Sequence, residues 1–305
     1  MLYERWISLA VLAVCLVGCV GRPVSAASSR DEPGTFQFGG LTRTYSVHVP
    51  PGSPAGLVLS LHGGGGTGAG QRSLTDFDAV ADANNLVVAY PDGYDKSWND
   101  GRAASPASRR HVDDVGFLVA LVAKLQSDYN IARGHVFATG MSNGGFMASK
   151  LACDHADVFA AIAPVAGTLG AGVACNPSRP VSVLEAHGTA DPVVPFNGGD
   201  VHGRGGVSRS VSVSVMVDKW RSIDGCQGDP SKQELPDVGD GTFVRRFDST
   251  ACADSTEVVL YQIDHGGHAW PGGRQYLPKA IIGPTTRAFD ATEAIAQFFL
   301  AHARD

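Results

Sequence analysis

The strongest chemical signal in the sequence is Gly140–Gly144, Gly-Met-Ser-Asn-Gly, which fits the pattern G-x-S-x-G. In this pattern the serine occupies a sharp turn between a strand and a helix. The flanking glycines are needed because larger side chains would collide with neighbouring backbone. A serine held in such a turn can present its hydroxyl group as a nucleophile. Ser142 is therefore the predicted nucleophile of an acyl transfer reaction, and a plain glycine-rich turn is the alternative interpretation.

A second glycine-rich segment, His62–Gly66, directly follows the apolar run 57–61. Attack on a carbonyl group develops negative charge on its oxygen, and backbone N–H groups held in fixed positions stabilise that charge. A His-Gly-Gly-Gly segment supplies one such donor, and the residue after the nucleophile supplies the second. We therefore predict that the N–H groups of Gly64 and Asn143 form an oxyanion hole, and that His62 has a structural role.

A serine nucleophile needs a base that accepts its proton and an acid that orients the base. His268 and Asp191 each lie shortly after an apolar, strand-like run. In parallel sheets, ligands bind beyond the carboxyl ends of the strands, so both residues occupy suitable positions. His268 is the predicted base and Asp191 the predicted orienting acid. Asp200 is the alternative acid, and His265 is an alternative base that keeps the chain order serine, aspartate, histidine.

Apolar patterns predict that strands and helices alternate along most of the chain. This alternation is typical of a mostly parallel sheet with helices on both faces, so the predicted fold class is α/β. The residues with candidate chemistry then lie just after strands, where such sheets bind ligands. The predicted strands are 45–49, 57–61, 86–90, 136–138, 159–165, 181–186 and 257–263, and the predicted helices are 72–84, 112–128, 143–152, 211–222 and one capped by Asp290.

The N-terminus has the composition of an export signal. Arg5 precedes the apolar stretch 7–17, which has the length of a signal-peptide core and is short for a membrane span. Two processing sites compete. Leu16–Cys19 resembles a bacterial lipobox, which would place a lipid on Cys19, whereas Val24–Ala26 resembles an ordinary cleavage site that would release the protein. We prefer the lipobox, and both interpretations predict export.

Length and composition indicate how the remainder is organised. Residues 1–26 are the predicted leader, 27–34 a short polar tether, and 35–305 a single catalytic domain without linkers or repeats. Hydrophobic residues make up 44 % of the chain, which is enough for a large core. The net charge of −6 is scattered and includes no run of lysine and arginine, so nucleic acid is not expected as a partner. The composition leaves the oligomeric state open.

Four cysteines lie outside the predicted leader. An even number of cysteines in an exported chain predicts two disulfides. Three pairings exist, and the sequence does not choose among them, although pairing of sequence neighbours would close two short loops. Zinc is not expected because the cysteines form no close C-x-x-C pair, and we predict neither a metal nor a cofactor. The cysteines are Cys153, Cys175, Cys226 and Cys252.

Two tryptophans are candidates for contact with substrate. Trp98 lies in the long segment between predicted strand 86–90 and predicted helix 112–128, and Trp270 follows the predicted base. Aromatic side chains at the mouth of a site can stack on sugars or phenolic rings. Substrate binding by these tryptophans is one hypothesis, and ordinary packing beneath a loop is equally well supported.

These motifs follow one another in an order that resembles a known family. The sequence is similar to the secreted esterase family that includes polyhydroxybutyrate depolymerases, type-one feruloyl esterases and bacterial lipoprotein esterases. The resemblance covers roughly residues 35 to 300 and implies the α/β-hydrolase fold with a triad of Ser142, Asp191 and His268. It also extends to the lipobox of the lipoprotein members. The segments that carry it are Leu61–Gly66, Trp98–Asn99, Asp113–Phe117, Gly140–Gly145, His187–Pro192 and Gly267–Gly272.

Together, the residues and the resemblance predict an exported serine carboxylic ester hydrolase with an acyl-enzyme intermediate. Many polymer depolymerases carry a cysteine where this chain has Gly64, and an extra domain for which no room is expected here. Degradation of solid polyester is thus not expected. The expected substrates are acyl or feruloyl esters of polysaccharide, or short polyhydroxyalkanoate-type esters. The alternatives are a peptidase or acyltransferase with the same triad, and a non-catalytic binding lipoprotein of the cell envelope.

Overall fold

The computed structural model describes residues 28–304. These residues form a ten-stranded sheet and a separate two-stranded hairpin, with helices on both faces of the large sheet, which confirms the predicted α/β class. The strands are β1 (Arg30–Phe38), β2 (Leu41–Val49), β3 (Gly56–Leu61), β4 (Leu86–Pro91), β5 (Val136–Met141), β6 (Ala161–Val165), β7 (Ser182–Gly188), β8 (Gly199–Gly203), β9 (Gly206–Ser210), β10 (Ser231–Glu234), β11 (Phe243–Ser249) and β12 (Val258–Asp264). The helices are α1 (Gly68–Thr75), α2 (Phe77–Asn84), α3 (Pro106–Arg109), α4 (Asp114–Tyr129), α5 (Asn143–Asp154), α6 (Val213–Ile223), α7 (Lys279–Ile282) and α8 (Ala291–Ala301).

The centre of the large sheet is parallel and its two borders are antiparallel. The parallel strands follow the order β4-β3-β5-β6-β7-β12, with β2 and β1 added at one border and β11 and β10 at the other. Every residue of β3 and β5 is buried, as expected for strands covered on both faces. Since parallel strands end at the same edge, the loops after β3, β5, β7 and β12 converge there.

Two hydrophobic cores lie on opposite faces of the sheet. On one face, Leu121 of α4, Leu151 of α5 and Trp220 of α6 are fully buried. On the other face, Phe77 of α2 and Phe299 of α8 are fully buried. Each side chain of this size contributes roughly 1.5–3 kcal/mol when it leaves water. The helices therefore clamp the parallel strands from both sides and hold the strand ends in place.

The segment predicted as one helix, 72–84, consists of two helices. Asp76 has a left-handed backbone with φ of 49°, and its N–H donates to the carbonyl oxygen of Arg72, which ends α1. α2 begins at the next residue, Phe77. The apolar spacing continues through this break, so periodicity alone does not reveal it.

Residues 30–34, which the sequence predicts to be part of a tether, are the first half of β1. β1 pairs with β2 in antiparallel register from Arg30 opposite Val49 to Phe38 opposite Leu41. The Tyr129 hydroxyl also donates to Glu32 at 2.6 Å. The polar composition is explained by the position of β1 at the border of the sheet, where much of the strand faces water.

Both disulfides join sequence neighbours. Cys153 pairs with Cys175, and Cys226 pairs with Cys252. Such bonds are typical of proteins outside the cytoplasm. The predicted leader and Cys19 lie outside the described residues. Within 28–304, no helix is both long enough and apolar enough to cross a bilayer.

Candidate active site

The turn between β5 and α5 has the strained geometry expected of a nucleophile elbow. Ser142 has φ of 57° and ψ of −118°, and its N–H donates to the Val165 carbonyl at 2.9 Å. A Cβ atom added to Gly144 would lie 2.1 Å from the carbonyl oxygen of Leu61, and one added to Gly140 would lie 2.6 Å from the same oxygen. The glycines are therefore required because β3 passes directly against the turn.

The two predicted oxyanion donors lie next to each other beside Ser142. A Cβ atom on Gly64 would come within 3.9 Å of the Cβ of Asn143. Within residues 28–304, the Gly64 N–H donates to no other group. The Asn143 side chain accepts from the Trp98 N–H at 2.8 Å and donates to Asp100 at 2.6 Å. These bonds fix the first residue of α5, whose own N–H has no partner within the helix.

His62 has the environment of a structural histidine. Its Nε2 accepts from the Gly93 N–H at 2.9 Å, so the proton lies on Nδ1, which donates to the Gly63 carbonyl at 2.8 Å. Burial lowers the pKa of His62 below its usual range. A neutral His62 thus links the glycine-rich loop after β3 to the turn after β4, in keeping with the structural role that the sequence predicts.

The structure corrects the prediction that Trp98 and Trp270 contact substrate. Both side chains are fully buried and neither lines a cavity next to Ser142. The indole N–H of Trp98 donates to the His62 carbonyl at 2.9 Å, and that of Trp270 donates to the Thr292 hydroxyl at 2.9 Å. Because each indole is packed and hydrogen-bonded, both tryptophans support the loops from beneath.

The predicted base and acid are in direct contact. The Nδ1–H of His268 donates to Oδ2 of Asp191 at 2.7 Å, and the two residues are only 4 % and 6 % exposed. The other carboxylate oxygen, Oδ1, accepts the N–H groups of Val193 at 2.7 Å and Val194 at 2.8 Å. The two residues follow β7 and β12, which are adjacent strands. With both oxygens bonded, the carboxylate has a fixed orientation and can hold the imidazole in one tautomer.

The alternative acid and base lie elsewhere. Asp200 is in the exposed hairpin formed by β8 and β9, where it lies 3.3 Å from Arg209. His265 is exposed, and its ring meets Phe243 edge-on with centroids 6.0 Å apart. The structure therefore brings together Asp191 and His268 rather than these alternatives.

Ser142 and His268 line the same two cavities. The first is the glycine-loop cavity, of about 320 Å³, bounded by His62–Gly66, α1 and Tyr276. The second is the hairpin cavity, of about 300 Å³, bounded by the β8–β9 hairpin, α3 and α7. If Ser142 is the nucleophile, the acyl arm of an ester has room on one side of it and the alcohol arm on the other.

A buried Glu–His pair beneath Asp191 was not predicted from the sequence. Nε2–H of His187 donates to the Val194 carbonyl at 2.9 Å and lies 3.5 Å from Oδ2 of Asp191, while Nδ1 lies 2.8 Å from Glu185. Burial raises the pKa of Glu185 to about 7. Burial alone would lower the pKa of His187, but Glu185 and Asp191 raise it on balance. The pair therefore shares a proton directly behind the loop that carries Asp191.

Tyr276 is a second residue that motif analysis missed. It lines both cavities, and its hydroxyl donates to the His268 carbonyl at 3.2 Å. Burial, with a smaller effect of Asp191, raises its pKa to about 12, so the hydroxyl stays protonated at neutral pH. It lies eight positions after His268 in an irregular segment, and no sequence pattern marks it.

One group of side chains has the composition of a cation site. Asp31, His48 and Asp78 lie together near β1, β2 and α2. Arg72 donates to both carboxylates, and Nδ1 of His48 lies 2.9 Å from Asp31. The guanidinium group thus already supplies the positive charge that these carboxylates attract.

Comparison with known proteins finds esterases among the relatives of this chain. The chain is 31 % identical over 293 residues to a protein named "Putative esterase NocK" from Nocardia uniformis subsp. tsuyamanensis, covering 92 % of this chain and 85 % of the relative. It is also 28 % identical over 249 residues to feruloyl esterase C of Emericella nidulans, covering 78 % and 82 %. The chain belongs to the feruloyl esterase-type family of α/β-hydrolases. The protein is accordingly a carboxylic ester hydrolase of the serine hydrolase class.

Two further comparisons concern the family and the fold. Residues 79–171 match the model of the prolyl oligopeptidase family. The solved structure of an S-formylglutathione hydrolase from Agrobacterium tumefaciens superposes with a TM-score of 0.55 at 14 % identity, covering 92 % of this chain and 98 % of that one. At this identity the similarity supports the α/β-hydrolase fold alone.

Proposed function

We propose that this ester hydrolase acts through a triad of Ser142, His268 and Asp191 on acyl or feruloyl esters of polysaccharide, or on short polyhydroxyalkanoate-type esters. The observation that supports the triad most strongly is the 2.7 Å hydrogen bond between His268 and Asp191. The same histidine lines both cavities that Ser142 lines. The feruloyl esterases among its relatives support the substrate class.

The proposed reaction is a two-step acyl transfer to water. Nε2 of His268 takes the proton of the Ser142 hydroxyl as Oγ attacks the ester carbonyl, and the N–H groups of Gly64 and Asn143 stabilise the oxyanion. His268 then gives its proton to the departing alcohol, which leaves an acyl-enzyme. In the second step His268 takes a proton from water as the water oxygen attacks the acyl carbon. His268 then gives this proton to Oγ as the bond between Oγ and the acyl carbon breaks, which releases the acid and restores Ser142. Asp191 accepts the Nδ1–H bond throughout.

Export is the second part of the proposal. The two disulfides favour an oxidising environment, and residues 1–26 have the composition of a leader. We infer that Cys19 carries a lipid that anchors the enzyme at the cell envelope. Mass spectrometry of the mature N-terminus tests this directly: a lipid-modified Cys19 is expected, and an unmodified chain beginning after Ala26 contradicts the anchor.

The test of the reaction is hydrolysis by the purified protein of feruloyl, acetyl-xylan, acyl-glycerol and hydroxybutyrate esters, with Ser142→Ala beside the unaltered enzyme. Removing the nucleophile of such a triad is expected to lower kcat by a factor of about 10⁴ or more. Ser178→Ala, at an exposed serine, is the matched control and retains full activity. Near-full activity of Ser142→Ala contradicts the assignment of the nucleophile.

Peptide cleavage by the same triad is the second candidate, because residues 79–171 match the prolyl oligopeptidase family. An assay with a chromogenic peptide amide distinguishes the two reactions. The ester is expected to react, and the amide to react very slowly. Faster cleavage of the amide would favour the peptidase.

A further inference from the structure

The glycine-loop cavity contains a buried hydrogen-bond donor without a partner. Gln71 of α1 lines this cavity together with Ser142 and is only 2 % exposed. Its side-chain Nε2 makes no hydrogen bond to any residue of 28–304. An amide group buried without a partner destabilises the protein because it has lost its hydrogen bond to water. Such a group in a substrate cavity is explained if a ligand atom supplies the missing acceptor.

The same cavity contains a cation without a counter-ion. Arg274 lines it and is exposed, and among the described residues it forms neither an ion pair nor a side-chain hydrogen bond. The arginines of the hairpin cavity differ, because Arg102 pairs with Asp100 at 2.6 Å and Arg204 donates to the Asp95 carbonyl at 2.9 Å. The free positive charge is therefore specific to the glycine-loop side of Ser142.

Among residues 28–304, no acidic side chain lines the glycine-loop cavity to balance this charge. The acid of the proposed triad, Asp191, lies behind His268 and has both oxygens occupied by N–H donors. The Tyr276 hydroxyl is committed to the His268 carbonyl. Apart from Ser142 and His268, the free polar groups on this side are the Arg274 cation and the Gln71 amide, whose N–H lacks an acceptor, and this combination favours an anion with more than one acceptor atom.

We propose that the glycine-loop cavity is a subsite for a substrate arm that carries a carboxylate group. Arg274 pairs with the carboxylate at the cavity mouth, and Gln71 Nε2–H donates to it from the wall. The proposal rests on ester cleavage at Ser142 and specifies the substrate class. It favours short acidic oligoesters and monoesters of dicarboxylic acids over esters whose two arms are both neutral.

The experiment compares kcat/KM for two matched pairs of esters. p-Nitrophenyl hydrogen adipate and p-nitrophenyl hexanoate differ by a carboxylate on the acyl arm. The butyrate esters of 6-hydroxyhexanoate and of hexanol differ by a carboxylate on the alcohol arm. A preference for the carboxylate in at least one pair is expected, and it should weaken as ionic strength rises because Arg274 is exposed.

Substitutions test whether Arg274 and Gln71 cause the preference for a carboxylate. Arg274→Met is expected to lower the carboxylate preference, which is the ratio of the kcat/KM values within a pair, about fivefold, and Gln71→Met is expected to lower it about tenfold. Gln71→Glu should lower the preference further through repulsion. Arg287→Gln removes an exposed charge that lines neither cavity, and it should leave the preference unchanged.

Two outcomes separate this inference from the proposed reaction. The proposed subsite is wrong if the neutral esters are hydrolysed but no pair shows a preference for the carboxylate. It is also wrong if the preference persists in Arg274→Met and Gln71→Met. Neither result contradicts the proposed triad. If Ser142→Ala still hydrolyses the neutral esters, the proposed triad itself is wrong.

Discussion

The proposed active site has two halves that are built by different means. In the half formed by the loops after β3 and β5, the backbone makes the site, through the strained turn at Ser142 and glycines packed against Leu61. In the half formed by the loops after β7 and β12, side chains make the site, through the hydrogen bond between His268 and Asp191 and the buried Glu185–His187 pair, whose Nε2 lies 3.5 Å from Asp191 Oδ2.

This difference determines how each half responds to change. At Gly140 and Gly144 the backbone half has no room for another atom, so substitution there disturbs the fold and the chemistry together. The side-chain half depends on where protons lie. An isosteric substitution can therefore alter the chemistry, or the response to pH, while the packing remains. Three substitutions test this contrast.

The largest effect is expected from Asp191→Asn in the side-chain half. The amide can still accept the N–H groups of Val193 and Val194 but no longer holds the proton on His268 Nδ1, so kcat should fall about 10³–10⁴-fold. The unfolding temperature should change little. Asp200→Asn, at the exposed alternative acid, is the control in ester hydrolysis and thermal unfolding. A modest loss in Asp191→Asn, or an equal loss in the control, contradicts the role of Asp191.

Gly144→Ala in the backbone half should reduce stability and activity together. The new Cβ would lie 2.1 Å from the Leu61 carbonyl oxygen, so the turn must move, and the free energy of unfolding should fall by about 3 kcal/mol. Displacement of Ser142 should lower kcat by about 10² or more. Chemical denaturation measures the first effect. Gly64→Ala is the stability control, because the new Cβ would lie 3.9 Å from its nearest neighbour, the Cβ of Asn143. If the two variants have the same free energy of unfolding, the contrast between the halves is wrong.

The smallest effect is expected from Glu185→Gln, in the pH dependence of stability. Burial raises the pKa of Glu185 to about 7 from 4.5. Between these two pH values, the folded protein therefore keeps a proton on Glu185 that the unfolded chain has lost. The contribution of protonated Glu185 to the free energy of unfolding is fully present below pH 4.5 and is lost as pH rises through 7. The free energy of unfolding should therefore fall between pH 5 and pH 8, by about 1–2 kcal/mol more in the unaltered protein than in the variant. Exposed Glu293→Gln should behave as the unaltered protein does, and an unchanged slope in Glu185→Gln contradicts the shared proton.

The central sheet and the position of the site were predictable because each relevant element is short and well marked. The buried strands β3 and β5 are apolar runs that lead directly into His62–Gly66 and Gly140–Gly144. Asp191 and His268 could be selected because parallel strands bring the loops that follow them to one edge.

Other features depend on tertiary contacts that leave no local pattern. β10 is Ser-Lys-Gln-Glu and exposed throughout, so only pairing with β11 makes it a strand. The glycine-rich segment 199–206 favours a loop, yet it lies in the β8–β9 hairpin. Trp98 is buried and bonded to His62 and Asn143, which are distant from it in the chain. The role of Glu185, inside an otherwise apolar strand, depends on a histidine two residues away on the same face.

The account depends most directly on Ser142 as the nucleophile beside His268. Labelling of the enzyme with a fluorophosphonate, followed by peptide mapping, tests this claim. One adduct per chain is expected, on Ser142, together with loss of ester hydrolysis in proportion to labelling and no adduct in Ser142→Ala. An adduct on a different serine, or hydrolysis that continues after Ser142 is fully labelled, contradicts the account.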